Sequence, residues 1–253
     1  MYRIKPYFLI ISFYLTLFNL AWSETLNIDI EEVFTMQITA EEVTSGTTAN
    51  DKILNLTFIS SAPTKDFVPS DVKVFNGKIW GAKRVNSTTY TAKFKAIDEG
   101  LAKINIPVGK FTNGRGDKNS ASSEFIWTYD ATPPQMSIEI IQINQLVKNI
   151  KIFINKEGKG DSEALPSDDE ILRLQFTSSE IITGFVASDV VVNGGLLSEF
   201  KGIEMNYSAI FTPSEPGPKD FELAVGSFAD AAGNGNEVVS FSLTYIPPIG
   251  SEY

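Results

Sequence analysis

Laid over itself at an offset of 118, the chain repeats. Residues 53–74, ILNLTFISSAPTKDFVPSDVKV, match residues 171–192, ILRLQFTSSEIITGFVASDVVV, at 12 of 22 positions. Unrelated segments of ordinary composition share only about one or two positions over such a stretch. The match resumes at offset 117, with residues 90–94 over 207–211, Gly100 over Gly217, Val108-Gly109 over Val225-Gly226, and Phe111 and Gly116 over Phe228 and Gly233. A duplicated unit closes a core of its own, so one fold of roughly 100 residues is used twice, with a seam at residues 129–134, YDATPP.

Within each copy the apolar pattern is that of short strands divided by turn residues, and neither copy has a long stretch of helical period. In the second copy the expected strands are 136–143, 171–176, 186–192, 195–200, 207–211, 221–225 and 239–245. Clusters such as Asn193-Gly194-Gly195, residues 214–218 and Asp230-Ala231-Ala232-Gly233-Asn234 part them. About seven strands per copy is the number that closes two packed sheets, so the expectation is all-β: two tandem immunoglobulin-like β-sandwiches. Phe58, Phe94, Phe176 and Phe211 fall at repeat-equivalent positions and are expected in the cores, as is Trp127.

Arg3 and Lys5 precede an apolar run at residues 7–20 that ends in Ala21-Trp22-Ser23, the form of a signal peptide cleaved after Ser23. The run is shorter than the ~20 residues that span a bilayer, and no second run follows, so no transmembrane span is expected after cleavage. The expected domains are residues 1–23 as leader, 24–130 and 131–248 as the sandwiches, and 249–253 as a tail. Secretion to the outside or the cell surface follows, with the periplasm as the other destination.

The chain has no cysteine, so in an oxidising compartment the fold has to stand on its apolar cores or on a metal. It has no histidine either, which removes Ser-His-Asp and Cys-His nucleophile systems and both preferred zinc ligands. No enzyme is expected. A formal charge of −10 speaks against a nucleic-acid partner and suits hard cations such as calcium.

The residues FTSSE at 176–180, Gly184-Phe185 with Ser188-Asp189-Val190, Asn193-Gly194-Gly195, Tyr207 with Ala209, Phe211-Thr212-Pro213 and DAAGN at 230–234 together resemble the bacterial immunoglobulin-like repeats strung along large surface adhesins. DATPP at 130–134 is similar to the way such repeats open. The likeness covers both copies and is stronger in the second. In the first, Ala62 stands where the FTSSE glutamate would be, and the DAAGN turn has become Asn113-Gly114-Arg115-Gly116-Asp117.

Seven strands run up and down put the loops after the second and sixth strands at the end where each sandwich begins. Asp130, Glu180, Asp189, Asp230, Asn234 and Asn236 are then expected near the joint. Six oxygen-bearing side chains suit calcium, and the resemblance implies a calcium-stiffened linker. The plainer reading of the same residues is a set of Asx turns with no ion. Arg115-Gly116-Asp117 is a candidate partner-binding tip, similar to the tripeptide that fibronectin type III domains display to integrins in the same loop. The acidic segment 156–170 reads as a solvated loop. Two functions fit: a structural or adhesive surface module meeting a protein or glycan, or a soluble carbohydrate- or ligand-binding protein that works through loop tips or a sheet face.

Overall fold

The computed structural model describes residues 33–142, 149–152, 163–166 and 171–246. The expected leader, most of the acidic segment and the tail lie outside the described residues, which all belong to one compact unit.

The first copy has β1 (Met36–Ala40), β2 (Thr48–Ala49), β3 (Ile53–Ser60), β4 (Lys73–Phe75), β5 (Gly77–Arg84), β6 (Thr89–Ala96), β7 (Gly100–Asn105) and β8 (Phe125–Tyr129). They form two four-stranded sheets, β1-β3-β6-β5 and β2-β8-β7-β4. After β1 the chain changes sheet, and β2 runs parallel to β8 where the other pairings are antiparallel.

The second copy has β9 (Met136–Gln142), β10 (Asn149–Ile152), β11 (Glu163–Pro166), β12 (Leu172–Ser178), β13 (Val190–Val192), β14 (Gly195–Ile203), β15 (Asn206–Pro213), β16 (Gly217–Leu223) and β17 (Val239–Ile246). Its sheets are β10-β9-β12-β15-β14 and β11-β17-β16-β13, with β11 parallel to β17 as β2 is to β8. Both copies are therefore Ig-like sandwiches. Short β2 in the first copy, and β10 and β11 in the second, carry the strand count past seven.

Alternation along each strand decides which face is buried. Leu54, Leu56 and Phe58 of β3 point inward while their neighbours do not, and Leu172, Leu174 and Phe176 of β12 repeat the pattern. Two separate apolar cores result, one around Phe58, Phe94, Phe111 and Trp127, the other around Phe176, Phe211, Phe221 and Phe241. Full burial of a side chain of this size stabilises by roughly 1.5–3 kcal/mol, which is how a chain without disulfides holds two sandwiches.

Several expected strand ends move, two of them for a clear local reason. Only Val190–Val192 of the stretch 186–192 is strand, because Ala187–Asp189 winds into a 3-10 turn whose Asp189 carboxylate accepts the Val186 N–H at 2.8 Å. Asp71 does the same for Val68 in the first copy, at 2.9 Å. The other change is at β16, which begins at Gly217, inside the residues read as a turn, and includes Pro218. A proline is tolerated there because β13 pairs only with residues 221–223, so at Pro218 the strand has a partner on one side alone.

Each copy also needs a glycine where β5 or β14 begins. A Cβ on Gly77 would fall on the Phe94 ring, and one on Gly195 on the Phe211 ring, both fully buried. Gly77→Ala and Gly195→Ala are each expected to destabilise their own sandwich by about 1–3 kcal/mol through overpacking. Trp80 and Trp127 lie in the first sandwich, so tryptophan-detected denaturation should shift for Gly77→Ala, and circular dichroism alone should report Gly195→Ala. Equal tryptophan shifts for both variants would mean the cores are not independent.

Candidate metal centre

The joint begins at Asp130, the first residue past β8. Its N–H bonds to Ala49 O at 3.1 Å, and its Oδ1 accepts the Thr132 N–H at 3.0 Å, an Asx turn that directs the linker into Pro133-Pro134. Glu99, between β6 and β7, accepts from the Ala131 N–H and the Thr132 hydroxyl, both at 2.9 Å. The linker is thus tied to the first sandwich on either side of Ala131.

The second sandwich contributes the loop between β16 and β17. Asp230 is 4% exposed, its Oδ1 accepting the Asn234 N–H and its Oδ2 the Asn234 Nδ2–H, each at 2.8 Å. Gly233 makes the turn between them with φ of +89°. Held this way, Asn234 donates its other amide hydrogen to the Asp130 carbonyl at 3.1 Å and accepts from Asn50 Nδ2 at 3.2 Å. The Asn50 N–H reaches Ala232 O at 3.2 Å. Asn50 follows β2, so these bonds run from one sandwich to the other.

Glu180 supplies the third arm, two residues past the end of β12. One carboxylate oxygen from each of Asp130, Glu180 and Asp230 lies within 4.8 Å of the others. Burial pushes the Glu180 carboxyl above the usual glutamate range, and the charges of Asp230 and Asp130 push it further. Three acids from the linker and two separate loops form an oxygen-only donor set, which suits a hard cation and would relieve that repulsion.

Of the six residues expected to gather, three carboxylates and Asn234 come together. The other two are engaged elsewhere. Asp189 caps its own 3-10 turn. Asn236 accepts from the Phe228 N–H at 3.0 Å and donates to Ala224 O at 2.9 Å and Glu237 O at 2.7 Å. Asn119 makes the equivalent set with Phe111, Pro107 and Ser120 in the first copy, where Ala62 replaces the glutamate, so these asparagines serve the fold of each copy.

Arg115, Gly116 and Asp117 are exposed on the loop between β7 and β8, at the end of the first sandwich where the chain enters it. Asp117 accepts from Asn113 Nδ2 at 2.8 Å, the Asp230–Asn234 exchange with acid and amide reversed. The aspartate of the tripeptide therefore has a part in its own turn. Asn50 and Glu99 had no signal in the sequence, because polar residues at strand ends are ordinary until the fold shows which ones face a joint.

The family model described as bacterial Ig-like domain matches residues 161–246, within the second sandwich. No curated protein matches the chain. Among solved structures it is similar to InvD of Yersinia pseudotuberculosis, at 12% identity and a TM-score of 0.36 over 86% of this chain and 60% of that one. It is also similar to invasin, described as a bacterial integrin-binding protein, at 11% identity and 0.41 over 85% and 41%. A third is the adhesin InvE of Yersinia pseudotuberculosis, at 9% identity and 0.29 over 83% and 58%. The chain thus spans at most 60% of the length of these structures.

The crowding at Glu180 has a pH signature when divalent cations are removed. A carboxyl that holds its proton more tightly folded than unfolded lowers stability as pH rises past the ordinary glutamate value, and returns it as pH falls. Glu180→Gln is therefore expected to raise the unfolding midpoint in chelator at neutral pH and to remove that decline. A pH profile parallel to wild type would mean that the three acids do not repel one another.

Proposed function

We propose that the chain is an extracellular or cell-surface arm, structural or adhesive, whose two sandwiches are stiffened at their joint by calcium. The observation that supports it best is the meeting of Asp130, Glu180 and Asp230 at a joint already pinned by Asn234 and Asn50. Asp130 belongs to the linker and the two others to the second sandwich, so an ion held by all three would tie the linker's direction to that sandwich. Calcium accepts carboxylates and carbonyls in irregular arrays of six to eight oxygens, whereas magnesium demands a near-ideal octahedron, which acids from three unconnected segments are poorly suited to supply.

The family match within the second sandwich and the leader-like start of the sequence support the location. A protein or glycan partner would be met at the exposed tip of Arg115 to Asp117, away from the joint. A sugar platform on a sheet face has less support, because Phe58, Phe94, Phe176 and Phe211 are buried. The exposed Phe75 and Trp80 leave from strands of different sheets.

Thermal unfolding of residues 24–253 tests the proposal. An ion bound only by the folded state adds about 2.7 kcal/mol at a concentration one hundred times its Kd, so saturating calcium should raise the midpoint by several degrees over chelator. Asp130→Asn and Glu180→Gln should each cancel most of that rise while keeping the chelator midpoint at or above wild type. Equal midpoints in calcium and chelator would remove the ion and leave a metal-free arm.

A further inference from the structure

Beyond the joint, the two copies part company at one point of their shared fold. Strands β5 and β14 each bulge against their neighbour, between Trp80 and Lys83 in the first copy and between Ser198 and Lys201 in the second. The first bulge residue is left-handed in both, Gly81 at φ +67° and Glu199 at φ +48°, which makes Ala82 and Phe200 equivalent. Phe200 packs against Phe185, Tyr207 and Phe176, with ring centroids 5.2, 6.0 and 6.4 Å away. The first copy keeps the three receiving rings as Phe67, Tyr90 and Phe58 but offers them only the Ala82 methyl.

A cavity of about 240 Å³ lies there, walled by those rings with Val72 and Ile79, and bordered by Lys65, Lys83 and Arg84. A cavity of about 150 Å³ is enough for benzene, so a phenyl ring fits. Two of the three cations belong to this copy alone, since Thr183 and Gly202 stand at the places of Lys65 and Arg84. None of the three forms an ion pair among the described residues, in a chain whose formal charge is −10. The missing ring and the added cations occur together, and β5 is the outer strand of its sheet, with backbone groups open to a strand laid beside it. Bulges and lysines also protect sheet edges from pairing, yet β14 is an outer strand with the same bulge and its slot is filled.

We propose that this slot is a docking site for an acidic protein segment, which inserts one Phe or Tyr side chain where the second copy uses Phe200 and sets its carboxylates against Lys65, Lys83 and Arg84. Main-chain pairing to β5 would give such a segment its direction, and the slot and the rim would give it specificity.

The test is an amide-resolved NMR titration of residues 24–253 with the peptide acetyl-Glu-Phe-Glu-amide. Saturable shifts are expected at Ala82, Thr91 and Lys83, with a Kd on the order of millimolar. Replacing the peptide's Phe with Ala, or its two Glu with Gln, should weaken binding roughly tenfold or more. Ala82→Phe fills the slot with the protein's own ring, so it should abolish the shifts while raising the unfolding midpoint of the first sandwich. Lys65→Glu with Arg84→Glu should weaken binding with an unchanged amide spectrum elsewhere. Absence of saturable shifts, or shifts that survive Ala82→Phe, would overturn the proposal. So would 3-phenylpropionate binding as tightly as the peptide, which would make the slot a pocket for small aromatic acids.

Discussion

Asp230 holds Asn234 by two bonds, one to its backbone and one to its side-chain amide, and that exchange across a glycine turn governs the joint. With its amide fixed, Asn234 has one hydrogen left for the Asp130 carbonyl and an oxygen left for Asn50. The same exchange fixes the direction of the Asp230 carboxylate, which comes to lie beside those of Asp130 and Glu180. A chain with no cysteine has no covalent brace to offer here, so hydrogen bonds and charge have to order two sandwiches whose cores are separate. The acids that crowd Glu180 raise the energy of the metal-free joint, and a hard cation is the partner that would turn the crowding to advantage.

Duplication supplies an internal control for every such claim. Asp71 and Asp189 cap the same turn, and Asn119 and Asn236 fasten the same loop, so neither pair needs a ligand to account for it. Asn113 and Asp117 make the Asp230–Asn234 exchange in reverse, which shows that the turn wants one acid and one amide and is indifferent to their order. Chemistry specific to one copy should be sought where the repeat fails. It fails at Glu180, where the first copy has Ala62, and at Ala82, where the second has Phe200.

The sandwich fold was legible because period-two apolar alternation and the repeat are both properties of the sequence as written, and Phe58 with Phe176 at offset 118 and Phe94 with Phe211 at offset 117 are buried at matching places in the two cores. Strand ends were less legible. Asp189 looks like any loop acid until its carboxylate is seen closing a 3-10 turn on Val186, and Pro218 looks like a turn residue until β13 is seen to stop short of it. At the joint, the acids could be named from loop positions, but Asn50 and Glu99 could not. Their roles depend on which strand ends face the second sandwich, and only three-dimensional packing decides that. The slot at Ala82 was equally hidden, since an alanine in an exposed strand gives no sign of a ring missing beneath it.

The proposed ion at Asp130, Glu180 and Asp230 would fix one sandwich on the other, and the spread of distances between the two sandwiches measures that directly. Lys93 and Glu222 are exposed on β6 and β16, and a chain without cysteine accepts a spin label at each through Lys93→Cys and Glu222→Cys. Pulsed electron spin resonance should give one narrow distance distribution in calcium, a broader one in chelator, and a broad one in both conditions when Glu180→Gln is added. Distributions of equal width in calcium and chelator would contradict the account, because the joint would then be as stiff, or as loose, without the ion as with it.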